Sequence, residues 1–283
     1  MGVSGWRYPG WRGRFYPDGL PQKQELRYVS DETNSVEING SFYSLQRPES
    51  YAAWREATSP HFVFSVKGGR FITHMKQLLN VETALANFFA SGVLALEEKL
   101  GPILWQLPPR MRFDAARLHR FLALLPKSTS AAADAAKGHD DRLKAAAWLR
   151  PSRNRRLRHA LEARHESFFC EESLALLRRY NVALVASDGG SAWPYAEDVT
   201  ANFVYLRLHG AEELYSSGYT AQALDEMAAK IGHWRCGTEP PNALRRGPAA
   251  RKRTRRDVYV YFDNDAKVFA PANAMDLAKR LSQ

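Results

Sequence analysis

Short runs of apolar and β-branched residues recur along the chain, and stretches with helical periodicity separate them. Eight of these runs predict β-strands, at 2–5, 35–39, 62–67, 101–107, 159–165, 182–188, 203–210 and 257–265. The separating stretches predict helices at 48–58, 80–100, 114–125, 173–180, 220–234 and 273–281. Strands that alternate with helices indicate a parallel sheet, and eight such units in 283 residues fit one TIM-like (β/α)8 barrel over residues 1–283.

Several segments interrupt this regular pattern. Residues 17–34 have weak helical periodicity, and residues 189–202 predict mostly irregular structure. Residues 127–154 are rich in Ala, Lys and Asp, and residues 236–256 carry Pro, Gly and a basic run. We interpret these last two as inserted or mobile loops in a somewhat irregular barrel. A doubly wound open sheet is the alternative, but no predicted strand is followed by G-x-G-x-x-G, and the chain lacks G-x-x-x-x-G-K-[ST].

Polar residues alternate with apolar residues near the C-terminal ends of several predicted strands. In "VEIN", for example, Glu37 and Asn39 oppose Val36 and Ile38. Helices cover the outside of a barrel, so the apolar set points outward and the polar set points inward, toward the end where barrel enzymes keep their sites. The structural alternative to a ligand site is a set of buried side chains that neutralise one another in salt bridges and fill the barrel mouth without a ligand. We expect one barrel mouth to collect Glu37, Asn39, Lys67, Gln106, Glu162, Arg164, Asp188, Arg207, His209 and either Asp263 or Asn264.

Three loops add aromatic and histidine candidates. The stretch "SGWRYPGWRGRFYP" (4–17) follows the first predicted strand, so its rings lie over the same mouth. They predict a wall or stacking platform, or else a small core that closes the barrel top. The loops "RFITHMK" (70–76) and "ELYSSGY" (213–219) follow the third and seventh predicted strands. The candidates from these loops are Trp6, Tyr8, Trp11, His74, Tyr215 and Tyr219.

The positive charge of the chain is concentrated in two places. Segment 245–256 holds seven basic residues and no acidic residue, so it supplies most of the formal net charge of +10. Segment 150–158 holds five arginines. Such runs bind nucleic acid in some proteins and are solvated loops in many others, so we expect at most a weak nucleic-acid contact through 245–256.

Composition favours a cytoplasmic protein without a membrane partner. The chain has no run of about 18 apolar residues and no basic segment followed by an apolar stretch at its N-terminus. Cys170 and Cys236 have no His or Cys partner at metal-ligand spacing, which argues against structural zinc and fits free thiols in a reducing compartment.

Seven motifs occur in order across almost the whole chain: "GVSGWRYPGWRGRFYP", "VEINGSFY", "FVFSVKGGRFITH", "LGPILWQLPP", "LEARHESF", "VYLRLHG…YSSGY" and "DVYVYFDND". Together they resemble the bacterial family known as domain of unknown function 72, the YecE-like proteins. The resemblance implies a TIM-like barrel and no established reaction. It places the candidate residues named above, except Tyr8, Trp11 and Asp263, at positions of the family's motifs, together with His165 and Asp265. Tyr8 and Trp11 rest on the loop argument alone, and Asp263 rests on the end of the eighth strand.

Two features depart from the family pattern. The family has a few residues before its "G-T-S-G-W" motif, whereas the first strand here begins almost at Met1, so we expect a shortened N-terminus. The fifth motif is normally "V-E-F-R-H", and Ala163 stands here in place of the aromatic residue, which predicts looser packing against the helices.

The first functional hypothesis is a hydrolase-like enzyme that acts on a small anionic substrate, phosphorylated or nucleotide-like, without a cofactor. Lys67, Arg164 and Arg207 would hold the anion. Glu37 or Glu162 would be the general base, with His209 as the acid or its partner, and Asp188 is a further catalytic candidate.

Two other classes compete with this hypothesis. Glu37, Glu162, Asp188 and His209 offer the oxygen and imidazole ligands of a divalent metal, although the three cations nearby would compete for the carboxylates. The other competing class is a nucleic-acid-binding module, because the basic runs supply positive charge and the aromatic–arginine loop supplies rings for base stacking.

Overall fold

The computed structural model describes residues 1–210 and 214–282, so Glu213 of the predicted loop motif lies outside the described residues. Eight parallel strands close into one barrel in sequence order, and β8 pairs with β1. The strands are β1 (Gly2–Ser4), β2 (Ser35–Ile38), β3 (Val63–Lys67), β4 (Leu100–Gln106), β5 (His159–Glu162), β6 (Ala183–Asp188), β7 (Phe203–Leu208) and β8 (Asp257–Phe262). The TIM-like barrel predicted from the alternation is confirmed.

Helices pack around this barrel, and their ends follow local capping chemistry. Asp114, Ser128 and Thr220 each accept a hydrogen bond from a backbone N–H in the first turn of the helix they precede. The helices are α1 (Glu25–Glu32), α2 (Gly40–Tyr43), α3 (Pro48–Glu56), α4 (Glu82–Ala90), α5 (Ala115–Leu124), α6 (Thr129–Ala136), α7 (Glu171–Tyr180), α8 (Ala221–Arg235) and α9 (Phe269–Arg280). Short 3-10 turns lie at Pro9–Trp11, Gln22–Gln24, Val93–Lys99 and Glu166–Phe168, and a π-helix spans Phe71–Met75. Within the described ranges no helix is long and apolar enough to cross a membrane.

The prediction of a single helix over 80–100 is wrong, because the helix ends before Gly92. Gly92 has φ of 108°, and a Cβ there would lie 2.4 Å from the backbone of Pro48. The close approach and the left-handed conformation both require glycine, so α4 ends at Ala90 and a 3-10 turn leads into β4.

Several strands end earlier than predicted. Pairing between β4 and β5 stops at Gln106 and Glu162, and the chain then turns toward the 3-10 helix Glu166–Phe168. Arg164, His209 and Asn264 therefore lie in loops beyond their strands, not on them as predicted.

The two predicted insertions differ from each other. Segment 127–154 contains α6, whose Ala132 and Ala136 are fully buried, and Asn87 of α4 exchanges two hydrogen bonds with Asp140. This segment therefore contains a folded helix that packs on α4. Segment 236–256 forms no regular element, and it joins α8 to β8 at the N-terminal end of the barrel, opposite the mouth.

The barrel interior is layered. Lower positions are apolar or hydroxyl-bearing, and Tyr205 and Tyr261 form hydrogen bonds with Ser65 and Ser35 inside the sheet. One step toward the C-terminal ends, β2, β5 and β7 place charged residues inside instead. The fold therefore places buried charge directly beneath the loops of the mouth.

Candidate functional site

Arg207 lies at the centre of the charged layer. Its side chain is 1% exposed, and its guanidinium meets three carboxylates: Nη2 to Glu37 Oε1 is 2.9 Å, Nη1 to Glu162 Oε2 is 2.8 Å, and Nη2 to Asp263 Oδ2 is 2.8 Å. We call Arg207, Glu37, Glu162 and Asp263 the Arg207 cluster. It joins β2, β5, β7 and the loop after β8 across the barrel interior.

Hydroxyl groups also form hydrogen bonds with Glu37 inside the cluster. Ser4 Oγ donates to Glu37 Oε1 over 2.7 Å, and Tyr205 OH donates to Oε2 over 2.6 Å. Asn39 Nδ2 in turn donates to Ser4 Oγ over 2.9 Å. Both oxygens of Glu37 are thus engaged, and the side chain is fully buried.

Glu162 and Arg207 are both stabilised in their charged forms. Burial opposes ionisation of Glu162, but Arg164 and Arg207 outweigh it and hold the pKa of Glu162 well below its usual range. Burial likewise opposes the charge of Arg207, and Glu37 and Glu162 outweigh it, so the pKa of Arg207 lies well above its ordinary value. Glu162 is therefore a weak base, and Glu37 and Glu162 are both fully buried, so the general-base role predicted for one of them does not fit.

His209 is fixed against the same cluster. Its Nδ1 lies 3.0 Å from the carbonyl of Asp188, and its Nε2 lies 3.0 Å from Arg207 Nη1. Burial and the charge of Arg207 lower the pKa of His209, so the ring is neutral and donates from Nδ1 while Nε2 accepts from Arg207. Trp193 and Tyr215 pack edge-on against the ring, which positions it instead of leaving it open to substrate.

Above the cluster lies a cavity of about 640 Å³, which we call the mouth cavity. Nearly all of its lining comes from the ends of strands and the loops that follow them, as the C-terminal face of a barrel provides. Asp263 is the only carboxylate that lines it in the part of the chain the structure describes. The remaining lining residues are Phe42, Tyr43, Lys67, Arg70, His74, Met75, Gln106, Arg110, Arg164 and Tyr215.

Lys67 differs from the other buried cations of this region. It is 9% exposed, and its Nζ lies 4.5 Å from the centre of the Phe42 ring. No carboxylate among the described residues forms an ion pair with it. Burial, followed by the charge of Arg207, lowers the pKa of Lys67 to about 8. Lys67 therefore presents a poorly compensated ammonium to the mouth cavity.

Arg164 and His74 also line the mouth cavity. Arg164 Nε donates to Glu162 Oε1 over 2.6 Å, and its guanidinium stacks 3.9 Å from the centre of the Trp193 ring. His74 Nδ1 lies 2.9 Å from Thr73 Oγ1. Burial and the neighbouring cations, Lys67 foremost, lower the pKa of His74 to about 4, so it is a neutral hydrogen-bonding group at pH 7.

The first loop does not form the predicted stacking platform as a whole. Trp11 is fully buried among Tyr8, Phe15 and Tyr16, because the 3-10 turn Pro9–Trp11 directs its ring into a small core. Trp6 is 7% exposed and packs edge-on against Trp54. Trp6, Tyr8 and Asn39 line a separate cavity of about 270 Å³.

Three further candidates, Asn264, Tyr219 and Asp188, form hydrogen bonds within and between the loops. Asn264 is fully buried and donates to the carbonyl of Ser217 and to Asn273 Oδ1. Tyr219 OH donates to Asp188 Oδ2 over 2.9 Å, and Asp188 Oδ1 accepts from the N–H of Gly190. None of the three lines the mouth cavity, so their predicted contact with substrate does not fit their positions.

Sequence reasoning missed Arg70 and Arg110. Each lies within four residues of a strand end, Arg70 in "KGGR" after β3 and Arg110 in "LPPR" after β4. Their positions in loops at the mouth of the barrel could have identified them. The alternation of polar and apolar residues applies only to strands, so it did not reach these loops. Within the described residues no three His, Cys, Asp or Glu side chains are grouped to hold an ion, and Glu37 and Glu162, two of the predicted metal ligands, face Arg207.

A family model described as "Protein of unknown function DUF72" matches residues 1–283. The chain belongs to this family. It is 28% identical over 130 residues to the UPF0759 protein YecE of Escherichia coli K12, a match that covers 44% of each chain. The chain thus matches less than half the length of that curated relative.

Solved structures of DUF72 proteins have the same fold. A family member from Thermotoga maritima superposes with a TM-score of 0.73 at 23% identity, covering 100% of this chain and 98% of that one. A second, from Enterococcus faecalis, has a TM-score of 0.67 at 17% identity and covers 91% of this chain and 88% of that one. These likenesses show the fold and no reaction.

Proposed function

We propose that this DUF72 protein is a hydrolase that binds a small organic anion, of the phosphoester class, in the mouth cavity. The observation that carries the proposal is the charge of the lining: Lys67, Arg70, Arg110 and Arg164 face the cavity with Asp263 as the only described carboxylate. Asp263 is itself 2.8 Å from Arg207, so it offsets little of this positive charge.

Energetics favour an anionic ligand beside Lys67. A buried ammonium without a partner is costly, and proteins relieve that cost by losing the proton or by pairing the charge. In Lys67 the cost is expressed as a pKa lowered to about 8. A bound phosphoryl group would pair the ammonium, and the arginines around it can contact two oxygens each.

The same groups suit hydrolysis of a phosphoester. Asp263 differs from Glu37 and Glu162 because it lines the mouth cavity and is 14% exposed. It would accept a proton from a water molecule as the water oxygen attacks phosphorus. The bond from phosphorus to the leaving oxygen breaks, and the Lys67 ammonium would protonate that oxygen. Proton exchange with solvent restores both residues, so the step consumes one water and needs no further reactant.

A binding protein without catalysis is the second candidate. The observation that favours it is the engagement of every buried carboxylate of the Arg207 cluster by Arg207, Arg164 or a hydroxyl donor. Asp263→Asn separates the two: hydrolysis of a phosphomonoester should fall at least about a hundredfold while phosphate binding persists. The exposed Asp18 provides the control Asp18→Asn. Phosphate binding with no turnover of any phosphoester by the wild type would leave only the binding role, and no phosphate binding would refute the proposal.

A further inference from the structure

A second cavity, of about 300 Å³, adjoins the mouth cavity, and its lining is mostly apolar, with Asn87 and Arg142 among its polar members. We call it the apolar cavity. Phe42, Tyr43, Arg70 and Met75 line both cavities, so the two share one wall and one rim. Ile72, Ala84 and Phe88 line the apolar cavity and not the mouth cavity.

Two large side chains at the rim of the apolar cavity are exposed to solvent. Tyr43 is 68% exposed and Met75 is 66% exposed, whereas Ile72 and Phe88 behind them are buried. Neighbouring exposed apolar side chains beside a cavity are typical of a ligand-binding surface.

Charge and apolar surface meet at two rings on the shared wall. Lys67 Nζ lies 4.5 Å from the Phe42 ring centre, and the Arg70 guanidinium lies 5.9 Å from the Tyr43 ring centre. A ligand that crosses this wall would place an anion on one side and an apolar group on the other.

The backbone explains how neighbouring residues serve both cavities. The π-helix Phe71–Met75 follows β3, and it directs Ile72 to the apolar cavity, His74 to the mouth cavity and Met75 to both. Single π-turns of this kind often occur at functional sites. The segment is held close to the barrel at Gly68, where a Cβ would lie 2.3 Å from the Trp105 ring.

We infer that the ligand is an aryl phosphoester or a close analogue, with its phosphoryl group in the mouth cavity and its ring in the apolar cavity. This inference rests on the proposed function and names its substrate class. A cavity of about 150 Å³ holds a benzene ring, so about 300 Å³ admits a substituted ring. Four cations around one headgroup favour a dianion over a carboxylate.

Calorimetric titration with phenylphosphonate and methylphosphonate tests the inference, because the two probes share a headgroup that cannot be hydrolysed and differ in the apolar group. We expect the phenyl compound to bind at least about tenfold more tightly, as burial of a ring predicts. Ala84→Phe fills the apolar cavity without lining the mouth cavity, so it should remove this advantage and leave methylphosphonate affinity unchanged. Ala116→Phe places the same ring on the exposed face of α5 as a control.

The outcomes separate the two claims. Equal affinity of both phosphonates in the wild type, or an advantage that survives Ala84→Phe, would overturn the aryl assignment and leave anion binding intact. No binding of either compound would overturn the proposed function as well. Benzoate binding as tightly as phenylphosphonate would overturn the phosphoryl headgroup. Should Ala84→Phe not fold, Ala84→Leu is the smaller obstruction, and retained methylphosphonate binding verifies its site.

Discussion

Two layers of charge are stacked at the same end of the barrel, and they are balanced in opposite ways. In the Arg207 cluster one guanidinium, 1% exposed, meets three carboxylates. In the mouth cavity above it, Lys67, Arg70, Arg110 and Arg164 face a single described carboxylate, Asp263. A buried cation surrounded by carboxylates has no need of a ligand, whereas a buried cation without one favours binding an anion.

Two residues connect the layers. Asp263 belongs to the cluster and lines the mouth cavity, and Arg164 lines the cavity while donating to Glu162 of the cluster. The lower layer therefore fixes the floor of the upper one, so substitutions should divide into those that affect stability and those that affect ligand affinity.

Removing Arg207 should have the largest effect, on stability. Arg207→Met leaves Glu37 and Glu162 buried without their main partner, and loss of one member of a buried ion pair costs about 3–5 kcal/mol. We expect the free energy of unfolding, measured by urea denaturation at pH 7, to fall by that amount. Unchanged stability with abolished phosphate binding would reverse the comparison and make Arg207 the ligand residue.

The pH dependence of this effect sharpens the test. The pKa of Glu162 is lower in the folded protein than its ordinary value of 4.5, so its stabilising contribution is present above that value and disappears as pH falls toward the folded pKa. Arg207→Met removes part of this contribution. The stability curves of the wild type and the variant should therefore converge as pH falls below 4.5, and parallel curves would contradict the assignment.

Lys67→Met should weaken binding and leave stability intact. The variant lacks a charge-assisted hydrogen bond worth about 1.5–3 kcal/mol, so phosphate affinity should fall about tenfold to a hundredfold. Stability should not fall, because the substitution also removes the cost of burying the ammonium. Calorimetry and thermal unfolding check the two parts, and the exposed Lys23 supplies the control Lys23→Met. A variant that is destabilised instead would show Lys67 to be structural.

Phosphate affinity of the wild type should also depend on pH through Lys67. The pKa of Lys67 is lowered to about 8, so the free protein loses this positive charge as pH rises through that value. We expect affinity to decrease from pH 7 to pH 9, with a smaller decrease in Lys67→Met. Equal pH profiles for the two proteins would exclude Lys67 as the titrating group.

The basic run at the opposite end of the barrel should have the smallest effect on the site. Replacing Arg251, Lys252 and Arg253 by Gln should leave phosphate affinity unchanged, because the segment lies at the N-terminal end. Any nucleic-acid binding should become less salt-dependent, with the logarithmic slope reduced by about 0.9 for each phosphate that the variant no longer neutralises. A drop in phosphate affinity would connect this segment to the mouth and contradict the separation.

Much of the architecture follows from local pattern. The alternation "VEIN" turns Glu37 inward because successive side chains of a strand point to opposite faces, and the same rule places Lys67, Glu162 and Arg207 inside. The end of α4 before Gly92 escapes such reasoning, because the backbone of Pro48 that requires glycine there is distant in sequence.

The sequence by itself determined the barrel and the end at which polar groups gather, since both depend on the spacing of apolar residues within single strands and helices. The tertiary structure alone decided which charges neutralise one another. Arg207 meets Glu37 across 170 positions of sequence and Glu162 across 45, while Lys67 meets no described carboxylate. Ion pairs depend on distances of a few ångströms across the closed sheet, and no local pattern encodes those distances. The division between a neutralised floor and a positive cavity above it is thus a property of the folded chain.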